Sequence, residues 1–473
     1  MASSIKFGTD GWRAVIAEDY TFANLRRVTQ ATAQYLANAG TPEGPVIVGY
    51  DTRFGSELFA EAAAEVFAAN GVRTVLTSAA TPTPAVSLAV IQQKMAGGVI
   101  ITASHNPGRW NGFKYKPDYG GSAPPEIVAQ IEGQLPQITE DGVRRMPAEH
   151  AREQGLLDMQ DVNEAYRAQL AKLVDIPALA ARQGSVVYDA MYGAGARLLP
   201  ALLEGGALQV HSINQERNPV FPGIHAPEPI GLNLQKLQAS VPAAGALLGI
   251  ATDGDADRVG IVDENGTFVN QLQVYSLLAL YLLEVRGLRG PLVKTLSQSY
   301  MVDKLGELYG VPVHETPVGF KYVGPKMTET DAVMGGEESG GFGFKGHIPE
   351  RDGTLAGLYI LDLAVQMERP LSKVIEYLEE KVGRYHYQRL DLRFEVKRED
   401  IEKRLRDNPP RELLGKRLVR FQTEDGYKYV LEDGTWLLIR FSGTEPVMRV
   451  YTETDAEGNV RPMLEHGRQL AGV

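Results

Sequence analysis

Short apolar runs alternate with helical patterns over the first 150 residues of the chain. The runs "PVIVGYDTR" (45–53) and "VRTVLTS" (72–78) are strand-like, and between them "SELFAEAAAEVFAANG" (56–71) is an Ala-rich amphipathic helix pattern that ends at Gly71. The order strand, helix, strand predicts parallel strands joined by crossover helices. Functional residues of such folds collect at the carboxyl ends of the strands.

The same alternation recurs further along the chain. The segments "SVVYDAMYGAG" (185–195) and "PLVKTLSQSY" (291–300) pass from a β-branched strand into a Gly- or Ser-rich turn, as residues 45–56 do. In a second set, a short apolar run ends in a polar loop: "GGVIITASHNP" (97–107), "LLGIATDGDADR" (247–258) and "AVMGGEESGG" (332–341). The recurrence predicts three α/β units with loops at similar positions, although unrelated α/β proteins also contain strand-to-loop junctions of this kind.

Beyond about residue 383 the pattern changes to alternating strands. These are "YHYQRLDLRFEV" (385–396), "RLVRFQT" (417–423), "YKYVLED" (427–433) and "TWLLIRFS" (435–442), and helical patterns remain at 398–407 and 461–471. The C-terminal part is therefore predicted to be a smaller α+β domain.

Composition and charge exclude several classes of function. The composition, 44% hydrophobic and 23% charged, is typical of a globular protein. The length of 473 residues predicts about three or four domains. A net charge of −11 leaves no basic excess for nucleic acid, and the absence of cysteine removes disulfides, thiolate zinc sites and thiol nucleophiles. The apolar run at 274–285 is too short to cross a bilayer, and the N-terminal residues lack a signal-peptide pattern, so we expect a cytoplasmic protein.

The loop "TDGDADR" places Asp253, Asp255 and Asp257 directly after an apolar run. Two such charges about 4 Å apart repel by about 4 kcal/mol when the effective dielectric constant is about 20. A divalent cation relieves this repulsion, and hard oxygen ligands favour Mg²⁺ or Ca²⁺. The spacing imitates a calcium-binding EF-hand, but Arg258 stands where that loop needs glycine. A solvated turn and an aspartyl-phosphate phosphatase with Asp253 as nucleophile are the alternatives.

Ser104 follows another apolar run and is itself followed by His105 and the turn-forming pair Asn106-Pro107. A hydroxyl exposed at the end of a strand is suited to act as a nucleophile or to carry a phosphoryl group, provided that a base lies close by. Taken alone, the segment is better explained as an ordinary turn.

Two further loops carry candidate ligand-binding groups. The Gly-rich segment 335–353 contains short acidic and hydroxyl side chains that suit sugar hydroxyls, and its chemistry-bearing residues are Glu337, Glu338, Ser339, His347, Arg351 and Asp352. In "LIRFSGTEPVMRV" (438–450), two arginines flank a hydroxyl-rich Gly turn, which predicts a phosphate site formed by Arg440, Ser442, Gly443, Thr444 and Arg449. The alternatives are a solvated loop and a polar hairpin.

Five motifs in this order resemble those of the α-D-phosphohexomutases, the family that includes phosphoglucomutase and phosphomannomutase. They are "FGTDGWR" (7–13), "TASHNP" (102–107), "DGDADR" (253–258), "GEESGG" (336–341) and "RFSGTEP" (440–446). The resemblance covers essentially the whole chain. It implies three related α/β domains plus a C-terminal two-layer α+β domain around a central cleft.

The resemblance also assigns a role to each domain. Residues 1–150 are expected to form the phosphoserine domain, 151–267 the metal-binding domain, 268–380 the sugar-recognition domain and 381–473 the phosphate-binding domain. Mg²⁺ would bind Asp253, Asp255, Asp257 and the phosphate on Ser104. Arg258 would lie near the transferring group, and the candidates for proton transfer are His105, Lys114, Lys321 and Arg13.

The resemblance further implies how substrate is bound. Glu337 and Ser339 would recognise equatorial hydroxyls, and the other substrate-binding residues would be His347, Arg351, Arg440, Ser442, Gly443, Thr444 and Arg449. The implied reaction is reversible phosphoryl transfer between the 1- and 6-positions of a glucose phosphate, with mannose phosphates as additional substrates. Ser104 carries the phosphoryl group, and glucose 1,6-bisphosphate is the intermediate and activator.

Two other functions stay open at this point. One is phosphoglucosamine mutase activity, and the other, of a different class, is non-catalytic binding of a sugar phosphate. In every case the expected partner is a small phosphosugar rather than nucleic acid or membrane, and the protein is expected to be a monomer or a homodimer.

Overall fold

Four β-sheets follow one another along the chain. They are seen in a computed structural model that describes residues 5–40, 44–407, 409–441 and 447–473. The first sheet and its helices comprise β1 (Trp12–Val15), α1 (Phe22–Asn38), β2 (Val46–Tyr50), α2 (Ser56–Ala69), β3 (Thr74–Thr77), α3 (Thr83–Gln92), β4 (Gly97–Ile101), β5 (Trp110–Pro117), α4 (Pro125–Gln134), α5 (Ala148–Glu153) and β6 (Leu157–Gln160). The succession β2, α2, β3 confirms the first predicted strand–helix–strand unit.

The second and third sheets have the same general composition. The second comprises α6 (Asn163–Leu173), α7 (Ile176–Ala180), β7 (Gly184–Asp189), α8 (Leu198–Leu203), β8 (Leu208–Ile213), α9 (Gln235–Ala243), β9 (Gly249–Thr252), β10 (Val259–Val262) and β11 (Phe268–Val269). The third comprises α10 (Gln271–Leu280), β12 (Leu292–Thr295), α11 (Met301–Tyr309), β13 (Val313–Thr316), α12 (Phe320–Thr330), β14 (Met334–Gly336), β15 (Phe342–Phe344), α13 (Gly353–Gln366) and α14 (Leu371–Val382).

One strand arrangement occurs in all three sheets. A central strand, β2, β7 or β12, has a parallel neighbour on each side. One of these neighbours, β4, β9 or β14, then pairs antiparallel with the strand that follows it. The loops 102–109, 253–258 and 337–341 join these antiparallel pairs, so the predicted equivalence of the serine, acidic and Gly-rich loops is confirmed.

The first sheet extends further along the chain than the sequence predicts. β6 pairs in parallel with β3, so residues 157–160 complete this sheet although they lie beyond the predicted domain limit at residue 150. The pairing joins segments about 80 residues apart, and such a partner cannot be recognised from local periodicity.

The fourth unit has two layers, an antiparallel sheet and the helices that pack on it. It comprises β16 (His386–Arg393), α15 (Arg398–Asp407), β17 (Glu412–Leu413), β18 (Lys416–Gln422), β19 (Tyr427–Leu431), β20 (Trp436–Phe441), β21 (Val447–Thr454) and α16 (Glu457–Ala471). Alternate residues of β20 face opposite sides, because side chains of a strand alternate. Leu437 and Ile439 pack with α15 and α16, whereas Trp436 and Leu438 pack toward the third unit. This confirms the predicted C-terminal α+β domain.

The apolar core does not follow the sheet boundaries. One continuous cluster contains Val86 of α3, Ile250 of β9 and Leu292 of β12, and therefore runs through the first three units. The C-terminal domain has its own core, and a small cluster that includes Leu272 and Trp436 joins it to the third unit. Among the described residues no helix is both long and apolar enough to span a bilayer.

Candidate active site

Ser104 lies in the loop after β4 with its side chain turned to the acidic loop. Its Oγ donates a hydrogen bond to Asp253 Oδ2 at 2.8 Å, and His105 Nδ1 lies 3.3 Å from the same Oγ. Ser104 adopts a left-handed backbone conformation (φ 51°), which serine rarely does, and is fully buried. The structure thus joins the predicted serine and acidic loops, 149 residues apart in sequence.

The three aspartates of the acidic loop are buried together. One carboxylate oxygen from each of Asp253, Asp255 and Asp257 lies within 4.8 Å of the others. Asp253 Oδ1 accepts the backbone N–H groups of Asp257 and Arg258, which closes the loop. Burial, together with the charges of Asp255 and Asp257, holds the pKa of Asp253 well above its ordinary value.

Two oxygens of this cluster fit a cation. Oδ1 of Asp255 and Oδ1 of Asp257 are buried and have no hydrogen-bond partner among the described residues. Buried carboxylate oxygens without a partner are costly, and a divalent cation removes that cost. With Ser104 Oγ they form an all-oxygen donor set that suits Mg²⁺.

Lys114, on β5, is the cation nearest to the acidic loop. Its Nζ lies 2.8 Å from Asp255 Oδ2, 3.0 Å from Asp257 Oδ2 and 3.0 Å from Asp10 Oδ2. Burial would lower the pKa of Lys114, but the three carboxylates outweigh burial and raise it. For Asp255 burial would raise the pKa, but Lys114 and a hydrogen bond from Thr83 lower it. The lysine therefore stays charged and balances the cluster.

Arg351 connects the Gly-rich loop with the acidic loop. Its Nη2 lies 2.6 Å from Asp10 Oδ2 and 3.0 Å from Asp257 Oδ2, and its Nη1 is 3.6 Å from Glu337 Oε2. Its Nε lies 3.0 Å from Glu350 Oε1. Asp10 and Glu350 were not predicted as site residues. The acid in "FGTDGWR" is the signal that could have found Asp10.

Glu337 and Ser339 are placed at the same junction. Burial raises the pKa of Glu337 to about 7; Arg351 opposes this rise and Glu338 adds to it. Ser339 Oγ is buried without a hydrogen-bond partner in the described part of the chain. Glu338 instead accepts a hydrogen bond from Ser297 at 2.6 Å.

Two arginines surround the serine loop from opposite units. Arg13 donates a hydrogen bond from Nη1 to Asn106 Oδ1 at 2.8 Å. Arg258 Nε lies 3.9 Å from Asp257 Oδ1 and is buried without a hydrogen-bond partner among the described residues. Burial first, and then Arg258 and Arg13, hold the pKa of His105 well below its ordinary value. The positive charges of Arg258 and Arg13 therefore act on His105, next to Ser104.

The other predicted residues have partners outside the cluster around Ser104. His347 Nε2 is 2.8 Å from a carboxylate oxygen of Asp352, the residue that caps α13, and Lys321 stands 5.4 Å from the Tyr322 ring centroid. Arg440 donates to Asp425 at 2.9 Å. Arg449 lies 3.8 Å from Asp391. The predicted phosphate-loop residues Ser442, Gly443 and Thr444 lie outside the described residues.

Comparisons with known proteins agree with this arrangement. Models of the phosphoglucomutase/phosphomannomutase α/β/α domains I, II and III match residues 4–142, 164–266 and 270–382, and the model of the C-terminal domain matches residues 392–462. A phosphoglucomutase/phosphomannomutase of Thermococcus kodakarensis is 32% identical over 464 residues, with 98% of each chain covered.

Two other proteins are similar over their full length. A probable phosphoglucosamine mutase of Pyrococcus abyssi is 32% identical over 470 residues, which cover 98% of this chain and 97% of that one. A crystal structure from Thermus thermophilus, provisionally named a phosphomannomutase, is 36% identical, covers 100% of both chains and superposes with a TM-score of 0.87. Because all four domains match in order, the chain belongs to the phosphoglucomutase/phosphomannomutase family, the α-D-phosphohexomutases.

Proposed function

We propose that this phosphohexomutase is a phosphoglucomutase in which Ser104 carries the phosphoryl group between the 1- and 6-positions of glucose phosphate. The observation that carries the serine assignment is the 2.8 Å hydrogen bond from Ser104 Oγ to Asp253 Oδ2, beside the two partnerless aspartate oxygens. A phosphoserine adds about −1.5 to −2 charge to a cluster that already contains three aspartates. Lys114, Arg13 and Arg258 are the cations available to oppose that charge.

Asp253, Asp255 and Asp257 are the residues that would hold Mg²⁺, together with the oxygen on Ser104. When bound, the ion supplies charge stabilisation for the phosphoryl oxygens. An aspartyl-phosphate nucleophile at Asp253 is less well supported, because Asp253 uses Oδ1 to close its own loop and Oδ2 to accept from Ser104. Calcium sensing is less well supported, because the acidic loop joins two strands, β9 and β10, whereas an EF-hand loop joins two helices.

Transfer proceeds in two halves. In the first, a sugar hydroxyl gives up its proton as its oxygen bonds to phosphorus, the bond from Ser104 Oγ to phosphorus breaks, and Ser104 Oγ takes up a proton, giving a bisphosphorylated sugar, glucose 1,6-bisphosphate. In the second, after the sugar has turned over in the cleft, Ser104 Oγ gives up its proton as it bonds to the other phosphorus, the bond from that phosphorus to the sugar oxygen breaks, and the sugar oxygen takes up a proton. Positioning and charge stabilisation supply most of the catalysis in such transfers.

Proton transfer is best assigned to His105. Its imidazole is neutral at neutral pH because burial, Arg258 and Arg13 lower its pKa, and a neutral imidazole has a lone pair that can accept the hydroxyl proton. Lys114 is held charged by three carboxylates, so we assign it the role of a fixed cation. Lys321 and Arg13 stay predictions as proton-transfer groups.

Glucose is proposed as the sugar because Glu337 and Ser339 offer a carboxylate and a partnerless hydroxyl to equatorial hydroxyls. His347, Arg351, Arg440 and Arg449, with the loop at 442–444, stay predictions as substrate-binding residues. So do the other domain limits, the cytoplasmic location, and the monomeric or homodimeric state. Phosphoglucosamine mutase activity is the second candidate, because a relative of equal identity carries that name.

Two experiments test the proposal. Rates on glucose, mannose and glucosamine 1-phosphates, with Mg²⁺ and a trace of glucose 1,6-bisphosphate, should favour glucose; faster turnover of the glucosamine phosphate would establish the second candidate. Intact-mass measurement after incubation with glucose 1,6-bisphosphate should show one phosphoryl increment that Ser104→Ala loses and the exposed control Ser78→Ala keeps. Sugar-phosphate binding without any phosphoryl increment would instead indicate the non-catalytic binding protein.

A further inference from the structure

Arg53 lies beneath the serine loop with its guanidinium fully buried. Nη2 donates to the backbone oxygens of Ser104 and Asn106, each at 2.6 Å. Nη1 donates to the backbone oxygens of Pro107 and Trp110 at 3.0 and 3.1 Å. One side chain therefore satisfies three carbonyl groups of the serine loop and that of Trp110, the first residue of β5.

The remaining nitrogen of the guanidinium lies beside an equally buried carboxylate. Arg53 Nε is 3.1 Å from Asp51 Oδ2, and neither side chain is exposed. Asp51 also accepts hydrogen bonds from Thr102 Oγ1 at 2.6 Å and Ser56 Oγ at 2.8 Å. The four Nη hydrogens go to backbone carbonyls, and Nε is buried beside Asp51 without a hydrogen-bond partner among the described residues, so Arg53 presents no accessible N–H group to a substrate.

The serine loop contains a strained backbone position and packs tightly against the second unit. Ser104 has a positive φ of 51°, a conformation that a residue with a Cβ adopts only when its surroundings impose it. The loop also lies tightly against the second unit, since a Cβ on Gly108 would be 2.6 Å from the backbone oxygen of Pro219. Arg53 reaches this contact as well, with its guanidinium 5.1 Å from the Phe221 ring centroid.

We propose that Arg53 is a positioning residue that fixes Ser104 relative to the acidic loop of the second unit. It acts through the backbone of the serine loop rather than through Ser104 Oγ. The inference rests on the proposed role of Ser104 as phosphoryl carrier. Lysine cannot replace Arg53, because a single ammonium group with three donors cannot span four carbonyl groups.

The test compares Arg53→Lys with the exposed control Arg73→Lys, whose arginine forms a surface ion pair with Asp158. Because misplacement of a reacting group by about 1 Å costs about 100-fold in rate, we expect kcat of Arg53→Lys to fall by about that factor while KM changes by less than about twofold. The control should retain both constants. Full kcat in Arg53→Lys, or a raised KM with normal kcat, would overturn the proposal.

A single-turnover readout separates this inference from the proposed function. Phosphorylation of Ser104 by glucose 1,6-bisphosphate, followed by intact mass, should be slowed in Arg53→Lys as much as kcat is. If the unsubstituted protein gains no phosphoryl group, it is the proposed function that fails. If both proteins gain it at the same rate, the positioning role of Arg53 is refuted.

Chemical rescue and a second substitution complete the test. Added guanidinium ion should restore activity at least about tenfold to Arg53→Ala and leave Ser104→Ala inactive, since only the first variant lacks a guanidinium-shaped group. If the Arg53 variants do not fold, Asp51→Asn, which keeps the guanidinium and removes its counter-charge, should show the same fall in kcat at constant KM. Unchanged kcat in Asp51→Asn would then refute the proposal.

Discussion

Glu337 is buried where a negative charge is unfavourable, and this makes its ionisation measurable as a change in stability. Burial raises its pKa from an ordinary 4.5 to about 7, with Arg351 opposing and Glu338 reinforcing the rise. Glu337→Gln keeps the shape of the side chain and removes the titration. The quantity to measure is the difference in the free energy of unfolding between this variant and the unsubstituted protein as a function of pH.

The sign and size follow from linkage between protonation and folding. Between pH 4.5 and about 7 the folded protein binds a proton at Glu337 that the unfolded chain has released, so stability falls as pH rises through this window. At about 1.4 kcal/mol for each tenfold change in the ionisation constant, the full effect is about 3 kcal/mol. Glu337→Gln should therefore gain about 3 kcal/mol relative to the unsubstituted protein between about pH 4.5 and pH 8.

The assay is urea denaturation at both pH values in the absence of Mg²⁺ and sugar phosphate, since a ligand bound to the folded state would add its own stabilisation. Glu329→Gln is the control, because Glu329 has a side chain that is 67% exposed in a surface pair with Lys326. Its difference from the unsubstituted protein should not change with pH. A Glu337→Gln difference that stays constant, or that shrinks toward pH 8, would refute the reasoning.

Three further substitutions test other contacts. Lys114→Met removes a buried cation from three carboxylates, of which Asp10 and Asp257 keep Arg351 and Asp255 loses its ion pair. The free energy of unfolding measured in EDTA should therefore fall by about 3 to 5 kcal/mol, with part of the loss restored by Mg²⁺; unchanged stability would contradict the charge-balancing role. For Glu315 burial would raise the pKa, but Lys428 and Lys294 lower it to about 2. Glu315→Gln should therefore lower the free energy of unfolding by about 3 kcal/mol at pH 7 and by almost nothing near pH 2. An equal loss at both pH values would argue against this ion pair. Gly353→Ala should disrupt the acidic loop and abolish turnover, because its Cβ would be 2.2 Å from the backbone oxygen of Arg258. The control Gly133→Ala has open space around its Cβ and should keep full turnover. Turnover by Gly353→Ala would show that the acidic loop can shift to accommodate the methyl group.

Much of the fold can be predicted from the sequence because its central strands are short and buried. β2, β7 and β12 are apolar runs that end in a turn, and a strand covered by helices on both faces has this appearance. The pairing of β6 with β3 is different, since it depends on a contact between distant segments. A domain limit read from local composition therefore falls short of the sheet.

The residues of the site also differ in whether local sequence pattern reveals them. Ser104 and the three aspartates stand out because polar loops follow directly after buried strands. Arg53 does not, since a charged residue in a turn is ordinarily solvated, and its complete burial results from contacts with a loop residue 51 positions later. His347 also has a partner that its local pattern does not reveal, because its imidazole lies 2.8 Å from Asp352, the cap of α13.

The continuous core of the first three units bears on how this enzyme could be recombined with its relatives. Residues such as Val86, Ile250 and Leu292 belong to one packed cluster, so exchanging any one of these units would require repacking of that shared cluster. The C-terminal domain has a separate core and meets the third unit through a small cluster around Leu272 and Trp436. It is therefore the natural module for chimeras: a donor segment spanning 384–473 has to match this cluster and the partners of Glu315, Tyr300 and Val318, and it leaves the residues around Ser104 unchanged.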